Sequence, residues 1–330
     1  MEKVGFTTTI PVEAVLAAGL VPVDLNNVFI GSADPSGMVE EAESDGLPRT
    51  TCGWIKGLYQ AVREAGIRKV IAVTQGDCSN THALMELWQA DGVETIPFGF
   101  PYDRDPDLLR LQVRKLMDAL GTGEAATLDM FERLRPVRGK LARLDEMTWR
   151  DGVVTGGENH LWLVSSSDFG GEPARFESDL DRFITEADRR ERPLGRKLRI
   201  GCIGVPPIFT DFHDAVESMG CSVVFNEVQR QFSLPYPDAD FHSAYMRYTY
   251  PYDVFGRIAD IKVQAELRGL DGIIHYCQSF CFRAIEDILI RRGVRLPVLT
   301  IEGDRPGPVD ARTQIRIEGF VGMLREIKGL

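Results

Sequence analysis

Along almost the whole chain, short apolar runs alternate with segments whose apolar positions recur at helical spacing. This pattern predicts a parallel sheet covered by helices on both faces, and so an α/β fold. In the first half, residues 20–25, 69–74 (KVIAVT) and 94–98 read as strands, the first of them preceded by a helix opened by Pro11. Proline is tolerated there because the first helical turn needs no amide donor. Helices are expected at 53–64, 81–89, 106–120 and 128–147, the last two long and highly charged. The second half restarts the same grammar. Strands are expected at 198–204 (LRIGCIG), 221–226, 272–276 and 297–301, with helices at 212–219, 254–267, 282–291 and 310–328.

Between the halves lies DRRERPLGRK, residues 188–197, with almost nothing to bury. At roughly 150 residues per domain, 330 residues predict two domains, placed at 1–190 and 191–330. An apolar content of 44% is enough for ordinary cores. There are 49 acidic against 38 basic residues, a formal net charge of -11, and such a surface repels a phosphate backbone, so nucleic acid is not an expected partner. No stretch approaches the roughly 18 apolar residues of a membrane span, and the opening Met1-Glu2-Lys3-Val4-Gly5 lacks the flank and apolar core of a signal peptide. The chain therefore reads as cytoplasmic.

Six cysteines in a reducing compartment are free thiols, metal ligands or catalytic groups rather than a disulfide framework. Cys202 and Cys221 sit inside apolar strand patterns and read as core. Cys52 precedes the helix GWIKGLYQAVREAG, Cys78 follows KVIAVT through a Gln-Gly-Asp turn, and Cys281 follows DGIIHYCQSF, so all three stand at helix N-termini. Unpaired amide donors and the helix dipole there favour thiolate over thiol. Such turns, at the carboxyl ends of strands, would converge on an interdomain cleft. Cys277, four residues before Cys281, would share its face if the strand ran that far, which makes it a further metal-ligand candidate. Soft thiolates select zinc or an iron–sulfur cluster, and packing as small buried hydrophobes is the alternative reading.

These residues also carry a resemblance. GFTTTIPVEAVLAAGLVPVDL, TTCGWIKGLYQA, VTQGDCSNTHALMELW, LDGIIHYCQSFCFRAIEDILIRRGVRLPVLTIEGD and ARTQIRIEGFVGML, in this order and spacing, resemble the catalytic subunits of the 2-hydroxyacyl-CoA dehydratase and benzoyl-CoA reductase family. The family's three cluster ligands fall on Cys52, Cys78 and Cys281. The resemblance implies two Rossmann-like, flavodoxin-like domains, a four-iron four-sulfur (4Fe-4S) cluster or a larger double-cubane one, and an ATP-dependent iron–sulfur activator protein that delivers a low-potential electron. It further implies a homodimer, or a heterodimer with a homologous subunit, acting on a small-molecule substrate as a reductase or dehydratase (a lyase). The chain lacks a G-x-x-x-x-G-K-S/T loop, consistent with ATP use by another protein. It is shorter than typical dehydratase subunits, so coenzyme A contacts are not expected to be complete.

Four further residues are catalytic candidates. Thr9, with Thr8 and Glu13, lies where the family places polar groups near its active site, although helix initiation explains these residues nearly as well. Glu158 and His160 follow the flexible turn Val154-Thr155-Gly156-Gly157, which would aim a carboxylate and an imidazole into the cleft; a satisfied surface or hinge role is the plainer reading. His275 precedes the Cys281 turn and either contacts the cluster or substrate or is buried. Arg247-Tyr248-Thr249-Tyr250-Pro251-Tyr252 lines a pocket or packs between domains, and Lys56 is expected on a helix surface. Two other functions compete: a non-catalytic iron–sulfur electron carrier or scaffold subunit paired with a larger homologue, and a two-lobed metabolite-binding protein with structural cysteines.

Overall fold

The computed structural model describes residues 1–192 and 197–329. Part of the expected boundary, residues 193–196, lies outside them. The first half holds a four-stranded sheet, β1 (Lys3–Phe6), β2 (Val21–Asp24), β3 (Lys69–Gln75) and β4 (Glu94–Gly99). The second holds β5 (Leu198–Gly204), β6 (Cys221–Asn226), β7 (Gly272–Gln278) and β8 (Val298–Gly303). Every pairing is parallel, and the orders β2-β1-β3-β4 and β6-β5-β7-β8 are the same topology twice.

Helices flank both sheets. The first half contributes α1 (Val12–Ala17), α2 (Leu25–Ile30), α3 (Pro35–Ser44), α4 (Gly53–Glu64), α5 (Asn80–Ala90), α6 (Pro106–Leu120), α7 (Glu124–Glu146), α8 (Gly156–Ser165) and α9 (Pro173–Ala187). The second contributes α10 (Phe212–Glu217), α11 (Glu227–Phe232), α12 (Phe241–Arg247), α13 (Val254–Arg268), α14 (Asp287–Gly293) and α15 (Ala311–Lys328). Among the described residues no helix is long and apolar enough to cross a membrane.

Three differences from the sequence pattern have physical causes. β1 gives almost no signal of its own, being four residues interrupted by Gly5, yet it is a central strand, because β2 and β3 supply its ladder from both sides. The helix expected at 282–291 is divided into a 3₁₀ turn, Phe282–Glu286, and α14. Lys56 is not on a surface: it is 2% exposed, and its ammonium donates to Glu43 Oε1 (2.7 Å) and to the Arg49 carbonyl (2.9 Å).

The halves share a core. Tyr245, Tyr248, Tyr250 and Tyr252 pack with Phe98, Phe100 and Leu109 of the first half. Tyr248 donates to Thr9 Oγ1 (2.9 Å), Tyr252 to the Tyr245 carbonyl (3.1 Å) and Tyr245 to Glu13 Oε2 (2.7 Å), so these three buried phenols are paired. Although α8 precedes the expected boundary, it packs on β6 and α11, with Asn226 Nδ2 donating to the Gly156 carbonyl (3.0 Å) and to Asn159 Oδ1 (2.8 Å).

Candidate functional site

Strand order reverses between β1 and β3 in one sheet and between β5 and β7 in the other, and open sheets form their ligand crevices beyond the carboxyl ends of strands at such points. Here the two crevices meet. A cavity of about 120 Å³ lies between them, on the order of ten water-sized positions. Thr7, Thr8 and Thr9 line it beyond β1, Asp77 and Cys78 beyond β3, Val205 to Pro207 beyond β5, and Gln278 and Cys281 to Arg283 at and beyond the end of β7. Cys52, Ile55 and Leu58 close one wall from α4.

The structure thus brings Cys52, Cys78 and Cys281 to one cavity. Cys52 is the N-cap of α4, where the Ile55 and Trp54 backbone N–H groups favour its thiolate without a side-chain cap hydrogen bond. Cys78 sits just ahead of α5 and meets the Asn80 N–H; Cys281 caps the 3₁₀ turn and meets the Arg283 N–H. Gly76 makes the Cys78 turn possible: its φ is +97°, and a Cβ there would come 2.8 Å from the Pro251 carbonyl oxygen. The expectation of lowered thiol pKa values is corrected for the metal-free chain. Burial pushes Cys52 up to about 12 and Cys78 up to about 11, and raises Cys281, outweighing the backbone donors that pull each down. Charge on one thiol also opposes charge on another, Cys78 and Cys281 both acting on Cys52. A cation must therefore compensate before all three ionise. Among the described residues no three His, Cys, Asp or Glu side chains gather tightly enough for one metal ion, a geometry that sets sulfurs within about 4 Å of each other around zinc.

Cys277 is not part of this wall. β7 ends at Gln278, and Phe280 takes a left-handed φ of +63°, costly for a bulky residue, which turns Cys281 out of the strand and away from the face expected to be common to both. The Cys277 sulfur is instead buried 3.8 Å from the His275 ring nitrogens. His275 also stays behind the wall, its Nδ1 2.7 Å from Asp287 Oδ1. Glu158 is not brought to the cavity: it closes a capping box with Thr155 and pairs through both oxygens with Arg190 at 2.8 and 2.9 Å. Thr9 and His160 do line the cavity. Burial, and then the neighbouring His213 with its ring centroid 4.6 Å away, hold the His160 pKa well below the imidazole range.

Sequence reasoning missed three charged lining residues. Asp24 ends β2 and accepts from Ser167 Oγ (2.6 Å) and the Asn26 N–H (2.9 Å), with burial raising its pKa. Asp77, beside Cys78, is pushed up to about 6 by burial against the pull of Arg283. Arg283 donates to the Tyr250 carbonyl (2.8 Å), to the Gly76 carbonyl (3.3 Å) and to Glu286 (3.1 Å), tying the segment after Cys281 to the turn before Cys78. Position relative to the cysteines was the available signal: Asp77 precedes one and Arg283 follows another by two.

The family model for 2-hydroxyglutaryl-CoA dehydratase, D-component, matches residues 7–324. The chain belongs to this family. No curated protein matches it. A family of dehydratase components places the cavity in an enzymatic setting, and the match runs through all three cavity cysteines and every strand of both sheets except β1.

Proposed function

We propose that the chain is the iron–sulfur component of a dehydratase or reductase, in which Cys52, Cys78 and Cys281 hold a 4Fe-4S cluster. A separate ATP-dependent activator delivers the low-potential electron, and a small organic molecule is the substrate. One observation carries this reading: three thiols far apart in sequence, from both halves, line one cavity beyond the carboxyl ends of both sheets. The donor set fits. Three soft sulfurs at one cavity, each with backbone N–H groups near it that favour its charged form, suit an iron–sulfur centre. When bound, such a cluster supplies one-electron chemistry to an acceptor held beside it.

The chain's own residues bind and orient. Thr9 accepts the Tyr248 proton, so its own hydroxyl hydrogen is available to a ligand. His160 is neutral and lines the same cavity. Trp54, Ile55, Leu58 and Phe232 form apolar wall that excludes water. Polar groups aimed at a ligand beside the cysteines favour a catalytic role over a simple electron carrier, which needs none.

Anaerobic reconstitution followed by iron and sulfide analysis tests the reading. The wild type is expected to bind iron and sulfide with visible charge-transfer absorption, and Cys52→Ser, Cys78→Ser and Cys281→Ser each to lose most of both. A colourless wild type after reconstitution sinks it. Cluster spectra that no candidate substrate perturbs point instead to the carrier.

A further inference from the structure

His160 reaches the cavity from α8, and behind it stands a side chain that neither the cysteines nor the cavity wall accounts for. Gln229, on α11, is 1% exposed, and its Nε2 lies 3.1 Å from His160 Nδ1 while its Oε1 has no partner. Reversing the amide would bond Oε1 to a protonated Nδ1 but strand a buried NH₂ with two unpaired hydrogens. An under-satisfied carbonyl is the more common compromise of the two. The orientation shown makes Nδ1 an acceptor. A neutral imidazole whose Nδ1 accepts carries its proton on Nε2.

Nothing in the described residues takes that proton. His160 Nε2 has no protein partner, yet it is not among the sealed, unpaired nitrogens. The helix that carries the amide, α11, is held on either side. Glu227 accepts from the Gly204 N–H (2.9 Å) and from Arg257 (2.7 and 2.9 Å), and Gln231 Oε1 accepts from Tyr236 (2.6 Å). His213, stacked on His160 from α10, bonds through Nε2 to Asn226 Oδ1 (2.9 Å), and the Asn226 amide is itself fixed by its two donations. His213 and Gln229 pack on the imidazole and neither carries a negative charge; the cavity that His160 lines also holds the titratable Asp24, Asp77, Cys52, Cys78 and Cys281 and the cation Arg283.

We propose that Gln229 is a positioning residue that fixes the Nε2–H tautomer of His160, so that the imidazole presents an N–H donor to an acceptor oxygen, carbonyl or hydroxyl, of a ligand in the cavity. The inference rests on the proposed function for the identity of the ligand's surroundings, but the tautomer is a property of the chain. A substrate lacking an oxygen acceptor leaves His160 without a partner and binds less tightly.

The test is a long-range ¹H–¹⁵N correlation of the imidazoles in ¹⁵N-histidine-labelled full-length protein after anaerobic iron chelation, with His160→Gln identifying the signal. The wild type at pH 7 is expected to show a protonated Nε2 and a bare Nδ1. Gln229→Met is expected to give a mixture of both tautomers. Gln229→Glu, which sets a carboxylate against Nδ1, is expected to move the proton from Nε2 to Nδ1 and to raise the midpoint by about one pH unit or more. The His213 signal serves as the fold control; should Gln229→Glu fail to fold, Gln229→Met and the wild-type tautomer decide. A wild-type Nδ1–H tautomer, or a Gln229→Glu spectrum like that of the wild type, overturns the proposal. Iron and sulfide are measured on the same preparation before chelation. An iron-free preparation that refuses reconstitution but shows the Nε2–H tautomer removes the proposed function and leaves this inference standing; an iron-loaded one with the Nδ1–H tautomer does the reverse.

Discussion

Arg283→Met removes the side chain that joins the Cys78 turn to the Cys281 turn while keeping most of its volume. The arginine is 7% exposed and makes three hydrogen bonds, to Glu286 and to the carbonyls of Tyr250 and Gly76, with its guanidinium stacked 4.4 Å from the Tyr250 ring centroid. Hydrogen bonds to a charged group contribute about 1.5–3 kcal/mol each. The Gly76 contact is long, so the lower end applies to it. Two considerations reduce the sum. A lost guanidinium no longer has to be desolvated, and Glu286 keeps its second partner, Arg257, so that carboxylate is not orphaned, while Asp77 loses the pull of Arg283 and takes up a proton more readily. The net expectation is about 3 kcal/mol, roughly a hundredfold in the folding equilibrium. Urea unfolding followed by circular dichroism, parent and variant at pH 7, reads this directly as a shift in midpoint at constant slope. Arg283→Lys, which keeps the charge but not the planar fork, should recover only part of the loss. The variant is also expected to bind less iron on reconstitution, because the two cysteine turns are no longer tied. A variant within about 0.5 kcal/mol of the parent, the usual scatter of neutral surface changes, refutes the clasp.

Asp168 is pushed up to about 7 by burial and by the charge of Asp24, against backbone donors from Asp24 and Gly170 that pull it down. A folded state that holds a carboxyl proton more tightly than the unfolded state loses that stability as pH rises through the two values, so Asp168→Asn should flatten the fall in stability between about pH 4 and 7, as urea midpoints across that range will show. Gly204→Ala is expected to cost about 3 kcal/mol or more, since the position has a φ of +93° and a Cβ would meet the Tyr276 carbonyl oxygen at 2.1 Å; a thermal midpoint equal to the parent's would contradict the β5–β7 packing described above. Glu158→Ala, which removes a capping-box partner and an exposed ion pair, should cost only about 1 kcal/mol and leave iron binding unchanged. Loss of iron in that variant would return Glu158 to the site.

Much of the architecture was legible because helix and strand periodicities differ and the chain keeps both clean. The bounds of β5, β6, α4 and α6 coincide with the apolar pattern, and Asp105-Pro106 marks the start of α6 as an aspartate cap followed by proline. β1 was not legible, because a four-residue strand around a glycine draws its stability from the strands on either side. The cysteine turns could be read from local sequence as helix N-termini. Whether their thiols ionise could not, since burial, which no local pattern reports, reverses the effect of the dipole. His275 and Glu158 looked as promising in sequence as His160 did. They differ only in where their elements aim them.

By itself, then, the sequence determined the alternation of strands and helices, the two halves, and the placement of Cys52, Cys78 and Cys281 at turns that follow strands or open helices. These depend on interactions within a few residues, which the chain carries wherever it goes. The tertiary structure alone decided that the two crevices face each other, that Cys277 and His275 sit behind the wall, that Glu158 pairs with Arg190 away from the cavity, and that Arg283 and Gln229 stand within reach of the site. Those facts come from packing the two halves together, which brings side chains such as Arg283 and the Gly76 carbonyl, or Gln229 and His160, within reach across long stretches of chain.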